Sequence, residues 1–141
     1  MENNLLEIRM SEAEVRKMSP LALAFVGDAV YEVFVRTYLA SEHRNMSVHN
    51  LHVEAIKFVK AHSQSEVVKK LEQELSEREM YFFKKGRNAK SGTVPKNADV
   101  QEYRFATGFE TLIGFLYLIG NRDRLNYLFE LIINLKNKGE F

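Results

Sequence analysis

The sequence predicts an all-α domain of about six or seven helices, and three observations carry that expectation. Apolar residues recur at the three-to-four-residue spacing of a helix in every periodic segment. Ser-x-x-Glu signatures, in which serine and glutamate cap each other's backbone, stand at three helix starts. No alternating strand pattern of useful length appears anywhere.

The elements follow in order. Ser11 and Glu14 start a short helix that reaches about Met18. Ser19-Pro20 restarts the chain, with serine as cap and proline at the first helical position. A central helix then runs to about Ser41, and Glu42–Asn45 is a polar turn. Ser47 opens the next helix, with Val48, Leu51, Ala55, Phe58 and Val59 on one stripe. Ser63 with Glu66 places a break near Ala61-His62 and a separate helix to about Leu75. Ser76 with Glu79 starts a helix from Glu77 to about Arg87. The stretch SGTVPKNA, residues 91–98, cannot be helical throughout. Asn97 or Asp99 caps a helix that Gly120 ends, and Asn121 caps the last one. Residues 1–18 read as an N-terminal extension with a short helix, and 19–141 as the functional domain.

Two stretches in this series are anomalous. In LALAFVGDAVYEVFV, residues 21–35, every position is apolar or glycine except Asp28 and Glu32. In FATGFETLIGFLYLIG, residues 105–120, Glu110 is the lone charge. Helices apolar on nearly every side belong in the middle of a core. A buried carboxylate without a partner loses its hydration for nothing in return. Asp28 must therefore open into a cleft, meet a distant cation, or bind a metal. The two helices should pack together, and Gly27 and Gly114 are placed to let their backbones approach closely. Two carboxylates brought together would repel unless one kept a proton or a cation joined them. A hard divalent ion such as Mg²⁺ uses one or two carboxylates with other oxygens and resolves that conflict.

Composition narrows the classes. There is no cysteine, which excludes disulfide scaffolds, thiolate zinc sites and cysteine nucleophiles. The N-terminus lacks the basic start and apolar block of a signal peptide. The run 105–120 is short of the roughly 20 residues of a membrane span and contains Glu110. No membrane partner and a cytoplasmic location are expected. The net charge of +1 hides an asymmetry. Residues 84–104 carry Lys84, Lys85, Arg87, Lys90, Lys96 and Arg104 against Asp99 and Glu102, a local +4 that leaves −3 elsewhere. A cationic loop leading into the Glu110 helix suits a polyanion held by its phosphates.

FVGDAVYE around Asp28, KKGRNAKSGTVPKNADVQEYR, and FETLIGFLYL around Glu110 together resemble a Mini-III ribonuclease, the short bacterial branch of the ribonuclease III family. The resemblance covers roughly residues 19–137. It implies a compact ribonuclease III-type endonuclease domain, acting as a homodimer on double-stranded RNA with Mg²⁺; with a central helix more apolar than one small domain needs, the dimer interface is expected to include the apolar surface around Phe25. Asp28 and Glu110 fall on the family's catalytic, metal-ligating positions. Lys84, Lys85, Arg87, Asn88, Lys90, Lys96 and Arg104 fall on or beside a segment expected to contact RNA. The implied reaction is hydrolysis to 5′-phosphate products. The implied role is maturation of large-subunit (23S) ribosomal RNA precursor, with room for a ribosomal protein as helper. Ala24 and Leu21 stand where other ribonuclease III enzymes have glutamates, and Thr107 where they have an aspartate. The ion count per site stays open on that ground.

Plainer readings compete with several of these. Asp28 and Glu110 could be a structural pair with remote cations, and the basic segment an ordinary solvated loop. Glu32 suits a salt bridge better than a metal shell. His49 and His52 lack a third ligand, so solvated histidines are the favoured reading. The aromatic side chains suit core or interface, since duplex RNA hides its bases. The competing functional classes are a catalytically silent RNA-binding module and a helical protein-interaction domain.

Overall fold

The computed structural model describes residues 4–90 and 94–141, and its regular elements are helical. Among these described residues seven α-helices follow one another: α1 (Glu12–Arg16), α2 (Pro20–Glu42), α3 (Val48–Val59), α4 (Ala61–Leu71), α5 (Glu77–Arg87), α6 (Val100–Leu118) and α7 (Arg122–Asn137). Short 3₁₀ turns at Leu5–Glu7 and Glu72–Glu74 complete them.

Local chemistry explains most of the starts. Ser11 and Ser76 each accept from the backbone of the glutamate three residues on, and that glutamate bonds back, so α1 and α5 open with complete capping boxes. Ser19 accepts from Ala22, with Pro20 at the first helical position of α2. Asp99 rather than Asn97 caps α6, accepting from Gln101 at 2.9 Å and Glu102 at 3.1 Å. Asn97 instead takes a positive φ of 72° in the preceding turn. At the other end of α6, Gly120 has φ 77° and supplies the left-handed stop.

The expected box at Ser63 and Glu66 does not form. Helix α4 begins at Ala61, its cap residue Lys60 is extended, and no side chain caps it. Ser63 lies inside the helix and is buried. Packing of this turn into the core overrides a capping pattern that sequence spacing alone suggested. The part of SGTVPKNA that is described, residues 94–98, is non-helical as expected. Ser91, Gly92 and Thr93 lie outside the described residues.

Helix α6 is the axis of the fold. Phe109, Leu112, Ile113 and Phe115 are all fully buried, and α2, α4 and α5 pack around it. Phe82 of α5 stacks on Phe115 at 3.9 Å between ring centroids, and Tyr31 of α2 meets Phe109 edge-on at 4.9 Å. Val15 of α1 is fully buried in the same core. Arg124 of α7 clasps Glu79 in two bonds of 2.7 and 2.8 Å, fixing the start of α5.

One expectation about α2 is corrected. The helix is not enclosed on every side: Phe25 is 82% exposed and Val33 65%, with Leu21 and Ala29 exposed on the same stripe. An apolar sequence run cannot tell a surface covered by the chain's own core from one left for another molecule.

Candidate functional site

The expected approach of α2 and α6 is present, and glycine makes it. A methyl group added at Gly27 would lie 2.8 Å from the Gly114 nitrogen and collide with the Glu110 carbonyl oxygen. One added at Gly114 would collide with the Leu23 carbonyl oxygen. Since no side chain separates the helices here, Asp28, next to Gly27, reaches across to Glu110.

The two carboxyls differ in surroundings. Asp28 is exposed and opens into a cleft, one of the outcomes the sequence left open to it. Glu110 is half-buried. Burial, followed by the hydrogen bond and negative charge of Asp28, pushes Glu110 up to about 8. A donor from Gln64 acts in the opposite sense. Among the described residues, no Lys, Arg or His forms an ion pair with either carboxylate. The pair is also not enlarged into a cluster: the described residues contain no group of three His, Cys, Asp or Glu poised to hold a metal.

Gln64 was not legible as part of this site. It is 2% exposed, donates through Nε2 to the Val59 carbonyl at 2.9 Å, and leaves Oε1 without a partner. Only the fold brings it to Glu110, forty-six positions along the chain, so no spacing rule points to it.

The basic residues lie on α5, on α6 and on the segment between them. Lys84, Lys85 and Arg87 occupy the last turn of α5, Asn88 caps it, and Arg104 is exposed on α6. Lys90 and Lys96 are exposed between the two helices. Gly86 presses this turn onto α6: an added methyl would lie 2.9 Å from Gly108 Cα and collide with the Thr111 hydroxyl. The basic turn therefore crosses α6 within one turn of Glu110. None of these six cations forms an ion pair among the described residues. Lys85 and Arg87 rest near the Tyr81 and Phe83 rings, at 5.3 and 5.6 Å, and Arg87 donates to Asn88 at 3.1 Å.

Other candidates resolve into plain roles. Glu32 accepts from Arg36 at 3.0 Å, one turn away. His49 and His52 are exposed. Tyr127 bonds Glu74 at 3.0 Å, and Tyr117 bonds the Leu6 carbonyl at 2.7 Å.

The profile of the Ribonuclease III domain matches residues 21–121, a span holding both carboxylates and the basic flank. The chain belongs to the ribonuclease III family. Within that family its relatives are Mini-ribonuclease 3 proteins. It is 47% identical to Mini-ribonuclease 3 of Clostridium tetani, over 92% of this chain and 89% of the relative. It is 42% identical to that of Staphylococcus aureus, over 88% and 93%. A crystal structure of a Fusobacterium nucleatum protein superimposes with a TM-score of 0.75 at 33% identity, covering 91% of this chain and 98% of that one. This Mini-III ribonuclease III-type chain is an endoribonuclease, which removes the silent-module and protein-interaction readings. No helix among its described residues is long and apolar enough to cross a membrane.

Proposed function

We propose that this endoribonuclease cuts double-stranded RNA with Mg²⁺ held by Asp28 and Glu110, acting as a homodimer in the cytoplasm. The observation that carries the reading is two carboxylates side by side with no protein cation among the described residues, near a basic turn that crosses α6.

The residues present fit a hard divalent ion. The donors are all oxygen, the preference of Mg²⁺. The upward push on Glu110 marks a site short of positive charge, and the orphaned Gln64 Oε1 is a further buried oxygen nearby. A bound Mg²⁺ would supply charge stabilisation at a phosphate oxygen and acidify a water for attack on phosphorus. The chain's own residues do the rest. Asp28 presents its carboxylate at the open rim, while Glu110 is fixed from behind by α6. Lys84, Lys85, Arg87, Lys90, Lys96 and Arg104, with Asn88, hold the RNA through its phosphates. Duplex RNA offers shape and backbone rather than base edges, so charge without aromatic platforms is the fitting surface.

A second copy fits the exposed stripe of α2. Phe25 and Val33 line, with Tyr117, Arg122 and Phe129, a groove of about 1000 Å³ that has Asp28 at its edge. In a two-fold pair each copy's Phe25 meets the other's groove, and two active sites face one duplex, one per strand. The likeness to Mini-III sequences supports large-subunit ribosomal RNA precursor as substrate, residues 19–141 as the catalytic unit and a ribosomal protein as helper. Incubating the protein with duplex RNA in Mg²⁺ and then in a chelator tests the reading. Cleavage to 5′-phosphate ends that stops on chelation supports it. Cleavage that persists, or that falls only on single strands, overturns it.

A further inference from the structure

Residues 4–10 carry three large aliphatic side chains that the chain itself leaves uncovered. Leu5 is 77% exposed, Leu6 83% and Ile8 51%. Single exposed apolar residues need no explanation, but three within four positions make a patch. The backbone beneath them is nevertheless held. Asn4 accepts from the Leu6 N–H at 3.2 Å and opens the 3₁₀ turn Leu5–Glu7. The Tyr117 hydroxyl donates to the Leu6 carbonyl at 2.7 Å. The Met10 N–H donates to the Leu118 carbonyl at 2.7 Å, satisfying one of the acceptors that the end of α6 leaves over. Between these two ties Arg9 lies against Gly120, where an added methyl would come 2.7 Å from its Nε. Fixing a chain end costs conformational entropy, and the protein's own core does not offset it by covering Leu5, Leu6 and Ile8.

What the ties accomplish is placement. Leu6 lines the same groove as Phe25, Val33, Tyr117 and Arg122. Tyr117 joins the parts of this wall. Its hydroxyl holds Leu6, its ring lies 4.1 Å from the Arg122 guanidinium, and its carbonyl accepts from Arg122 at 2.9 Å. With Arg122 so engaged, Leu6, Phe25 and Val33 offer aliphatic and aromatic surface, which suits an apolar partner and not a phosphate backbone.

We propose that residues 4–10 are an interface arm: strapped to the end of α6, they extend the groove wall, and Leu5, Leu6 and Ile8 are covered by a second copy of this chain. Continuity of Leu6 with Phe25 in one groove names the occupant. A two-fold pair uses the same patch on both copies, so an apolar strip beside Phe25 enlarges the contact twice. This rests on the homodimer reading, and it gives a role in assembly to residues that precede the proposed catalytic unit.

Sedimentation equilibrium of the full chain gives the dimer dissociation constant for wild type, Leu6→Asp, Tyr117→Phe and Phe25→Asp. Leu6→Asp should raise that constant about tenfold or more, since two leucines are lost from one interface. Tyr117→Phe keeps the ring, releases the Leu6 carbonyl and should raise it by roughly two- to tenfold. Cleavage by Leu6→Asp should fall at low protein concentration and recover at high concentration. Urea unfolding of the Leu6→Asp/Phe25→Asp double variant should match that of Phe25→Asp, because a single chain leaves Leu6 exposed. A Leu6→Asp constant equal to wild type, while Phe25→Asp dissociates, would overturn the arm and leave the dimer reading standing. Lower urea stability of the double variant would assign the segment to the monomer's own core and overturn the arm as well. A wild-type chain that sediments as a monomer would overturn the dimer reading, and this inference with it. Should Leu6→Asp fail to fold, the Tyr117→Phe comparison decides.

Discussion

Gly27 and Gly114 cross so closely that neither can carry a methyl group, and this crossing brings Asp28 beside Glu110. The acidic pair is thus a consequence of backbone packing between two helices. Loss of either glycine should damage fold and site together.

Gly27→Ala tests that coupling. Helix propensity alone favours alanine by about 1 kcal/mol. The collision with the Glu110 carbonyl should outweigh it, for a net loss of ~1–3 kcal/mol in urea unfolding. Cleavage should fall further than stability, because separating the helices also separates the carboxyls. A stabilised, active Gly27→Ala protein would show that the crossing is not tight.

The metal-free protein should lose stability as pH rises. Burial and then Asp28 raise Glu110 from 4.5 to about 8 in the folded state. Across that window the folded chain keeps a proton that the unfolded chain has released. Stability from this group is greatest below about 4.5 and declines up to about 8. The slope is at most ~1.4 kcal/mol per pH unit. Urea unfolding in EDTA at pH 5 and pH 8 measures it against Glu110→Gln, in which this component should vanish. Identical pH dependence in both proteins would contradict the cause assigned to the shift.

The acidic pair was legible because charge is rare inside apolar runs, so Asp28 and Glu110 stand out as Gly27 and Gly114 do. The exposure of α2 was legible in part: a helix more apolar than one small domain needs points to a second copy at Phe25, whereas Val33 looks like a core residue until the chain's own core is seen to lie on the other face. Ser63 misled because a capping pattern says nothing about burial. Gln64 gave no signal because its meaning comes from a contact between distant helices, and glutamine in a helix is ordinary.

Phe25→Asp should dissociate the proposed dimer and leave the helical fold intact. Phe25 is 82% exposed in the single chain, so its loss costs the monomer little. Burying it in a partner is worth about 1.5–3 kcal/mol per copy. Two copies imply a dissociation constant raised by at least ~100-fold. Sedimentation equilibrium checks this, and an unshifted dimer would place the interface elsewhere.

Neutralising Lys84, Lys85, Arg87 and Lys90 should weaken duplex binding far more than it slows bound substrate. These groups carry charge without capacity to act as a base at neutral pH. Each lost phosphate contact should flatten the salt dependence by about 0.9 in log–log slope, taking the duplex DNA value as a guide. Duplex affinity across a salt series, with single-turnover rates at saturating protein, separates the two effects. A collapsed rate with an unchanged slope would mean that this turn organises the catalytic centre instead.

The central claim is that Asp28 is needed for chemistry and not for the fold. The most direct measurement compares Asp28→Asn with wild type in single-turnover cleavage of a duplex RNA with Mg²⁺, alongside urea unfolding and duplex binding in EDTA. The account predicts that cleavage is abolished while unfolding and binding stay near wild type, because Asp28 is exposed and pairs with no cation among the described residues. An Asp28→Asn protein that cuts normally, or that unfolds in EDTA where wild type does not, would contradict it.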